Sequence, residues 1–107
     1  MASQLGLIEL LEKIIVLPAA PWVLRIALYY EGINPQWPGF THQGVINEIR
    51  QKFKHHKFEN PPSDERVKED LSWLRSQGLI DENQGTILLS VRGRLIAEEL
   101  TLAVSNV

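Results

Sequence analysis

Apolar residues recur at helical spacing along most of this chain. In the first segment they fall at i, i+1, i+4, i+7 and i+8, which is the spacing of one helical face, and they are Leu7, Ile8, Leu11, Ile14 and Ile15. Leu10 and Leu17 widen this face to about half of the helix circumference. The pattern predicts a first helix that ends at Pro18, because proline breaks a helix interior.

Two further helices are predicted around a proline-rich loop. Pro21 suits the first turn of a second helix, because its missing N–H needs no partner there. This helix runs through residues 22–30 and ends at Gly32, and residues 33–40 form a loop. Thr41 is the predicted N-cap of a third helix. The inward stripe of that third helix is Val45, Ile46, Ile49 and Phe53.

Residues 63–93 predict a fourth helix, a hairpin and the start of a fifth helix. Ser63 caps the fourth helix and Gly78 ends it. Its buried face, at i, i+4 and i+7, is Val67, Leu71 and Leu74. The short apolar runs 79–80 and 86–89 flank a predicted turn at Glu82-Asn83-Gln84-Gly85. Ser90 caps a last helix that reaches about residue 104.

This order of elements resembles the winged-helix families of bacterial and archaeal regulators. The residues that carry the resemblance are Val67, Leu71, Leu74, Gly78, Leu79 and Ile80, followed by Leu89-Ser90-Val91-Arg92-Gly93-Arg94-Leu95. The second group is similar to the end of the wing in MarR-like and PadR-like proteins. There, a strand enters a helix through a leucine, a small hydroxyl residue, and a glycine followed by arginine. The resemblance covers roughly residues 21–100.

The fold class expected from this resemblance is mainly α with a small β-hairpin wing. It is a winged helix-turn-helix with extra N- and C-terminal helices. We expect a single domain over residues 1–107, with an accessory helix in 1–17, the winged-helix core in 21–89 and a C-terminal helix in 90–104.

Composition narrows the class of protein only slightly. The chain is 44% apolar and 22% charged, which is ordinary for a soluble globular protein. Its net charge of -2 gives no overall attraction to a polyanion. It contains no cysteine, which removes disulfides, thiolate metal sites and a cysteine nucleophile. The most apolar segment, residues 5–17, is too short and too charged to span a membrane and lacks the features of a secretory signal. We therefore expect a cytoplasmic protein that does not enter a membrane.

The resemblance implies a helix that reads double-stranded DNA. In winged-helix regulators the helix before the wing enters the major groove. The expected contacts from this helix are Arg66, Lys68, Ser72 and Arg75, and the wing would approach the DNA backbone through Asn83 and Gln84. Phosphates would be held by the basic residues Arg50, Lys52, Lys54 and Lys57. Alternatively, this basic cluster complements the dipole at the end of the third helix and stays solvated.

The same helix also supports a second hypothesis, a protein-interaction module without DNA binding. Glu65 and Glu69 point almost directly away from the predicted core, where they would face the phosphates of a DNA groove. An acidic face around Glu65, Glu69 and Trp73 could instead bind a basic protein partner. Trp73 alternatively packs against the wing or a neighbouring loop. Two other tryptophans, Trp22 and Trp37, are expected to cover the core, with Tyr29 and Tyr30 divided between core and surface.

The first and last helices each carry more apolar surface than one contact requires. In MarR-like and PadR-like proteins, helices outside the winged-helix core form the dimer, so the resemblance implies a symmetric homodimer. The expected interface residues are Leu7, Leu10, Leu11, Ile14, Leu17, Ile96, Leu100 and Ala103. The alternative is that the two terminal helices pack on each other within one monomer.

No constellation in the sequence indicates an enzyme, a cofactor or a metal site. The histidines His42, His55 and His56 have no histidine or carboxylate partner four residues away on a helix. The serines have no glycine-flanked elbow. The paired carboxylates Asp64/Glu65, Glu69/Asp70 and Glu98/Glu99 are sequential, so we expect them on solvated helix surface.

Overall fold

The computed structural model describes residues 5–57 and 60–105, with side chains described through residue 102. Within these ranges the chain forms five α-helices and one two-stranded antiparallel hairpin. The elements are α1 (Leu7–Ile15), α2 (Ala20–Ile33), α3 (His42–His55), α4 (Asp64–Ser76), β1 (Ile80–Asn83), β2 (Thr86–Leu89) and α5 (Val91–Ser105). The predicted fold class is confirmed: the protein is mainly α with a small β-hairpin wing, and α1 and α5 flank the helices and the wing.

Two of the predicted N-caps form through side-chain hydrogen bonds. The Thr41 hydroxyl accepts from the backbone N–H of Gly44 at 3.0 Å. The Ser63 hydroxyl accepts from the backbone N–H of Arg66 at 3.2 Å. Each bond satisfies one of the amide donors that a helix leaves open at its start. The beginnings of α3 and α4 are therefore encoded locally.

The predicted end of α2 at Gly32 is wrong by one residue. The helix continues through Gly32 to Ile33, and the N–H of Asn34 still bonds to the Tyr30 carbonyl at 3.0 Å. Asn34 is the first extended residue, with φ -137° and ψ 100°. It precedes Pro35, whose ring disfavours the helical conformation of the residue before it. The proline therefore sets the end of the helix.

The hairpin is longer, and its turn tighter, than the sequence predicts. Glu82 and Asn83 belong to β1, with Glu82 opposite Ile87 and Asn83 opposite Thr86. The turn contains only Gln84 and Gly85, whose φ angles of 53° and 82° are those of a type I′ turn. A two-residue turn of this type matches the twist of the strands, and it fixes their register.

The loop before α3 is attached to the wing by a pair of backbone hydrogen bonds. The N–H of Phe40 donates to the Ile87 carbonyl at 2.9 Å, and the N–H of Ile87 donates to the Phe40 carbonyl at 2.6 Å. The Phe40 ring lies 4.5 Å from the ring of Trp37, which stacks on Tyr30 at 5.4 Å. Trp37 is partly buried against the core, as expected. This cluster fixes the position of the wing relative to α2 and α3.

Helix α2 lies at the centre of the core, and it contacts the other four helices and β2. The predicted inward stripes are confirmed, since Val45, Ile46 and Ile49 of α3 and Val67, Leu71 and Leu74 of α4 are all buried. Phe53 is partly buried and lies 5.2 Å from Trp22, ring centre to ring centre. No helix in the described part of the chain is long and apolar enough to cross a membrane.

The turn after α4 and the start of α5 are joined by Ser90. Its hydroxyl donates to the Gly78 carbonyl at 2.6 Å and accepts from the N–H of Gly93 at 2.9 Å. Gly93 packs so tightly here that a Cβ atom would lie 1.7 Å from the carbonyl oxygen of Leu79. The predicted cap at Ser90 is confirmed, and the serine-glycine spacing is explained by this close contact between helix and turn.

Asp70 corrects one expectation from the sequence. It was expected on solvated helix surface but is only 2% exposed. Its Oδ2 atom accepts hydrogen bonds from the N–H groups of Ala19 at 2.8 Å and Ala20 at 3.1 Å. Ala19 has no side chain that could cap α2, so Asp70 of α4 performs this role. A carboxylate at a helix N-terminus is also favoured by the helix dipole.

Candidate interaction surface of helix 4 and the wing

The outermost stripe of α4 is acidic. Glu65 and Glu69 lie opposite the buried face and are exposed, with Ser72 and Ser76 beside them. The Glu69 side chain is 67% exposed. The placement of both glutamates agrees with the sequence pattern. A ligand that approaches α4 from solvent therefore meets two carboxylates first.

Arg66 is directed toward the α2 side of α4. Its Nη1 atom lies 3.1 Å from Glu69 Oε2, and its Nε atom lies 3.3 Å from the buried Asp70 Oδ1. The side chain is 40% exposed. The sequence assigned Arg66 to DNA contact, and in this structure its charge is balanced by two carboxylates of its own helix.

Arg75 belongs to a charged cluster that joins α3, α4 and the wing. It forms an ion pair with Glu82 of β1. The other Glu82 oxygen lies 2.5 Å from Nε2 of His42, at the start of α3. The hydrogen bond from His42, supported by Arg75, holds the pKa of Glu82 below its usual value. This cluster brings together three residues that are distant in the sequence.

Lys68 and Ser72 occupy the side of α4 that faces this cluster. Both are exposed, and Lys68 has no ion-pair partner among the residues that the structure describes. They line a shallow pocket of about 70 Å³ between α4 and the wing. Its lining residues are His42, Lys68, Leu71, Ser72, Arg75, Ile80, Glu82 and Ile87.

The wing contributes no positive charge to this surface. Asn83 and Gln84 are exposed at its tip, as a DNA contact would require, but Asp81 and Glu82 are the only charged residues of the hairpin. Residues 63–89 contain six carboxylates, of which Asp70 is buried, so five carboxylates and three lysines and arginines lie at the surface. The combined surface of α4 and the wing is therefore acidic.

The basic residues at the end of α3 do not share one face. Arg50 forms an ion pair with Asp64 at the start of α4. Lys52, two residues later and so about 200° around the helix, lies on the α2 side with its Nζ atom 5.7 Å from the ring centre of Tyr29. Lys54 and Lys57 are exposed. Lys52 thus lies on a different side of α3 from Arg50 and Lys54, which are four residues apart and share a face.

A second concave surface, which the residue pattern alone does not predict, lies between α2 and the end of α3. This groove has a volume of about 360 Å³. Its residues on α2 include Trp22, Arg25 and Tyr29, which fall at i, i+3 and i+7 on one stripe. Two aromatic residues alternating with a cation at helical spacing are the signal that could have revealed it. We call this surface the basic–aromatic groove, and the residues that line it are Trp22, Arg25, Ile26, Leu28, Tyr29, Lys52, His56 and Thr101.

The aromatic residues are placed largely as the sequence predicts. Trp73 is partly buried against the core, which agrees with a packing role and leaves only part of the ring available to a partner. Trp22 is also partly buried against the core. Tyr29 is 60% exposed, whereas Tyr30 packs on the core and donates its hydroxyl to Glu48 at 2.8 Å. The hydrogen bond to this carboxylate raises the pKa of Tyr30.

Four of the residues assigned to a dimer interface belong instead to the core of the single chain. Leu10, Ile14, Ile96 and Leu100 are between 0% and 3% exposed. Leu11 and Leu17 are partly buried against the same core, Leu7 is 52% exposed, and the side chain of Ala103 is outside the described residues. The helices α1 and α5 do contact each other, so the alternative of packing within one monomer accounts for their inner faces.

The described residues contain no group of three histidines, aspartates or glutamates that could hold a metal ion. Comparison of the chain with protein-family models gives no match, and comparison with curated proteins gives none either. The charges and contacts described above are therefore the basis for inferring function.

Proposed function

We propose that this protein is a winged-helix protein-interaction module whose acidic face on α4 and the wing binds a basic segment of a partner protein. The observation that carries the proposal is the charge balance of α4. Its two arginines are paired with carboxylates of the same chain, while Glu65 and Glu69 stand outermost.

This arrangement opposes binding to a polyanion. A helix that reads the major groove lies within a few ångströms of phosphates, so its outermost charges interact strongly with them. A contact between Arg66 and DNA would draw the guanidinium away from Glu69 and from Asp70, which is 2% exposed. Separation of a buried carboxylate from its cation is costly. A lysine- or arginine-rich segment would meet Glu65 directly and would share Glu69 with Arg66, while the contact between Arg66 and the buried Asp70 stays in place.

The acidic face also carries hydrogen-bonding and aromatic groups, which are common at protein interfaces. Ser72 and Ser76 add hydroxyl groups beside the two glutamates, and Trp73 adds part of an aromatic ring at the edge. Tryptophan is enriched among residues that dominate binding energy at interfaces. The carboxylates would speed association and set orientation.

A second candidate function, DNA binding as a transcriptional regulator, is favoured by one specific observation. Lys68, Ser72 and Arg75 fall on one exposed stripe of α4 that leads toward the wing. The ion pair of Arg75 with Glu82 is exposed, and such pairs contribute little stability. Arg75 could therefore exchange Glu82 for a phosphate at small cost. The resemblance to MarR-like and PadR-like regulators supports the same candidate.

A charge reversal distinguishes the two functions. The double variant Glu65→Lys/Glu69→Lys should abolish retention of a partner protein captured by the wild-type chain. If α4 reads DNA, the same variant should instead bind a mixed-sequence duplex more tightly than wild type. The control for added positive charge is Gln36→Lys/Gln51→Lys, which introduces two lysines at exposed positions outside α4 and away from the outer faces of α1 and α5.

Duplex binding is measured by fluorescence anisotropy at about 50 mM and about 200 mM salt. If the protein makes several phosphate contacts, this increase in salt lowers the affinity by orders of magnitude. We expect no duplex binding by the wild-type protein at the lower salt. Salt-sensitive duplex binding that Lys68→Ala weakens would reject the protein-interaction proposal and establish the DNA candidate.

We also infer that two copies of the chain associate through the outer faces of α1 and α5. Among the described residues, the large apolar side chains that stay more than half exposed lie mainly in this part of the molecule. They are Leu7, Ile8, Ile15 and Val16 in and just after α1, and Val91, Leu95 and Leu102 in α5. Exposed apolar surface of this kind marks interaction sites. In a dimer with a two-fold axis, the outer faces of α1 and α5 in one copy can pack on the same faces of the other copy.

A further inference from the structure

We propose that the basic–aromatic groove binds single-stranded nucleic acid, with a base stacked on Tyr29 and neighbouring phosphates held by Arg25 and Lys52. This site is separate from the acidic face of α4 and does not depend on the protein-binding function. It uses residues from α2 and α3, with Thr101 of α5 at its edge.

The groove combines the two features that sequence-independent binding of single strands requires. Such sites pair a positively charged groove, which follows the backbone, with aromatic rings on which bases stack. Here the cations are Arg25 and Lys52, and the rings are Trp22 and Tyr29. Ile26 and Leu28 provide apolar lining between them.

The position of each cation is set by an aromatic ring. The Arg25 guanidinium carbon lies 5.9 Å from the ring centre of Trp22, and Lys52 Nζ lies 5.7 Å from that of Tyr29. These distances are within the range of cation–π attraction. Each cation therefore lies over one face of its ring, and a base that stacks on Tyr29 would use the ring face that Lys52 leaves open.

The charges of Arg25 and Lys52 are available to a ligand. Neither side chain has an ion-pair partner among the residues that the structure describes, whereas Arg50, Arg66, Arg75 and Arg94 are all paired with carboxylates. Arg25 is exposed and Lys52 is partly exposed. In a chain with a net charge of -2, this local excess of positive charge favours an anionic ligand at this groove.

Tyr29 is the residue best suited to stacking. It is 60% exposed, although the residues on either side of it, Leu28 and Tyr30, are partly buried. Its ring meets Tyr30 edge to face, with centres 5.6 Å apart. An exposed tyrosine that packs against a partly buried one can present its ring to a planar ligand. The groove volume of about 360 Å³ lies within the usual range for ligand sites.

Duplex DNA fits this groove less well than a single strand. A duplex keeps its bases stacked inside, so Tyr29 and Trp22 could contact only its sugars and phosphates. A single strand exposes the faces of its bases. Each base that stacks on an aromatic side chain typically strengthens binding by about 5- to 150-fold. The ring arrangement therefore selects for unpaired nucleotides.

The test uses the full-length chain and a fluorescein-labelled, mixed-sequence DNA strand of about 12 nucleotides, titrated at about 50 mM salt. We expect wild-type protein to bind it, and Tyr29→Ala to weaken binding by about 5- to 150-fold. Tyr29→Phe should bind like wild type, because it keeps the stacking face. Thermal unfolding of each variant shows that the fold is retained.

The salt dependence tests the phosphate contacts separately. Lys52→Ala should reduce the slope of log affinity against log salt by about 0.7, the value for one phosphate contact on a single strand. Lys54→Ala is the matched control, because Lys54 is exposed on the same helix but does not line the groove. It should leave the slope unchanged.

Three results would overturn the proposal. The first is absence of strand binding at 50 mM salt, and the second is an equal loss of affinity in Lys52→Ala and Lys54→Ala, which would indicate unspecific charge attraction. The third is competition by adenosine monophosphate as strong as that by the unlabelled strand, which would make the groove a site for small ligands. None of these variants alters Glu65 or Glu69, so failure here leaves the protein-binding proposal to its own test.

Discussion

The carboxylate of Asp70 caps a helix 50 residues away in the sequence, since it accepts the N–H of Ala20 as well as that of Ala19. Most helices are capped by a residue at their own start. In this chain Ala19 stands at that position and α4 supplies the missing acceptor. The same side chain pairs with Arg66, so Asp70 connects α4 to the central helix of the core.

Removal of the Asp70 carboxylate should destabilise the protein strongly. We expect Asp70→Ala to lower the free energy of unfolding by about 3 kcal/mol, because two amide donors and Arg66 lose a buried partner. Asp70→Asn keeps one acceptor oxygen and should cost less. The measurement is urea unfolding, with the exposed Glu69→Ala as control, expected within about 0.5 kcal/mol of wild type. A similarly small effect of Asp70→Ala would contradict the capping role.

A methyl group at Gly93 should prevent α5 from docking on the turn after α4. The Cβ of an alanine would lie 1.7 Å from the Leu79 carbonyl oxygen, so backbone must move. We expect Gly93→Ala to lower the free energy of unfolding by about 3 kcal/mol or more. Gly32→Ala is the matched control in α2, where a Cβ would meet nothing within 4 Å.

The two alanine variants are expected to change the free energy of unfolding in opposite directions, which makes the comparison sensitive. Gly32→Ala should be neutral or should stabilise the protein by up to about 1 kcal/mol, because alanine favours the helix. Equal unfolding midpoints for the two alanine variants would show that α5 does not approach the turn as closely as described.

The cluster around Glu82 should make stability depend on pH in the acid range. Because His42 and Arg75 lower the pKa of Glu82 in the folded state, its ionised form stabilises the fold. This contribution is present above the pKa of the unfolded chain and is lost as pH falls through the lower, folded value. Wild type should therefore lose more stability than Glu82→Gln as pH falls from about 5 to about 3.

Thermal unfolding at pH 7 and at pH 3 provides the measurement. The hydrogen bond from His42 is the largest cause of the shift, so His42→Gln should reduce the pH dependence more than Arg75→Gln does. If Glu82→Gln showed the same loss between these two pH values as wild type, the cluster would have no energetic role.

The apolar outer faces of α1 and α5 should hold two copies together. Ile8 is 71% exposed and Leu95 is 60% exposed, so neither is needed for the core. We expect light scattering to give the mass of a dimer for wild type and of a monomer for Ile8→Glu/Leu95→Glu. Ile33→Glu is the control, since Ile33 is 61% exposed at the end of α2. A wild-type monomer at high concentration would reject the inferred dimer.

Local patterns in the sequence determined most of the secondary structure. The caps at Thr41, Ser63 and Ser90 and the buried stripes of α3 and α4 depend on residues within one or two helical turns, and all of them were predictable. The exposed position of Glu65 and Glu69 followed from the same periodicity. The expectation from the resemblance at residues 89–95, that a strand runs into a helix there, agrees with the order of β2 and α5.

Contacts between distant segments were decided only by the tertiary structure. Helical periodicity places Asp70 beside the buried stripe, but it does not show that the start of α2 lies there with two open amide donors. The pairing of Arg75 with Glu82 and that of Arg50 with Asp64 also depend on how helices and wing are packed. The sequence by itself determined which segments are helical and which faces are apolar, because these properties arise from near neighbours. Which charges remain free to bind a ligand was settled by packing, because a charge is balanced by whatever the fold brings within a few ångströms of it.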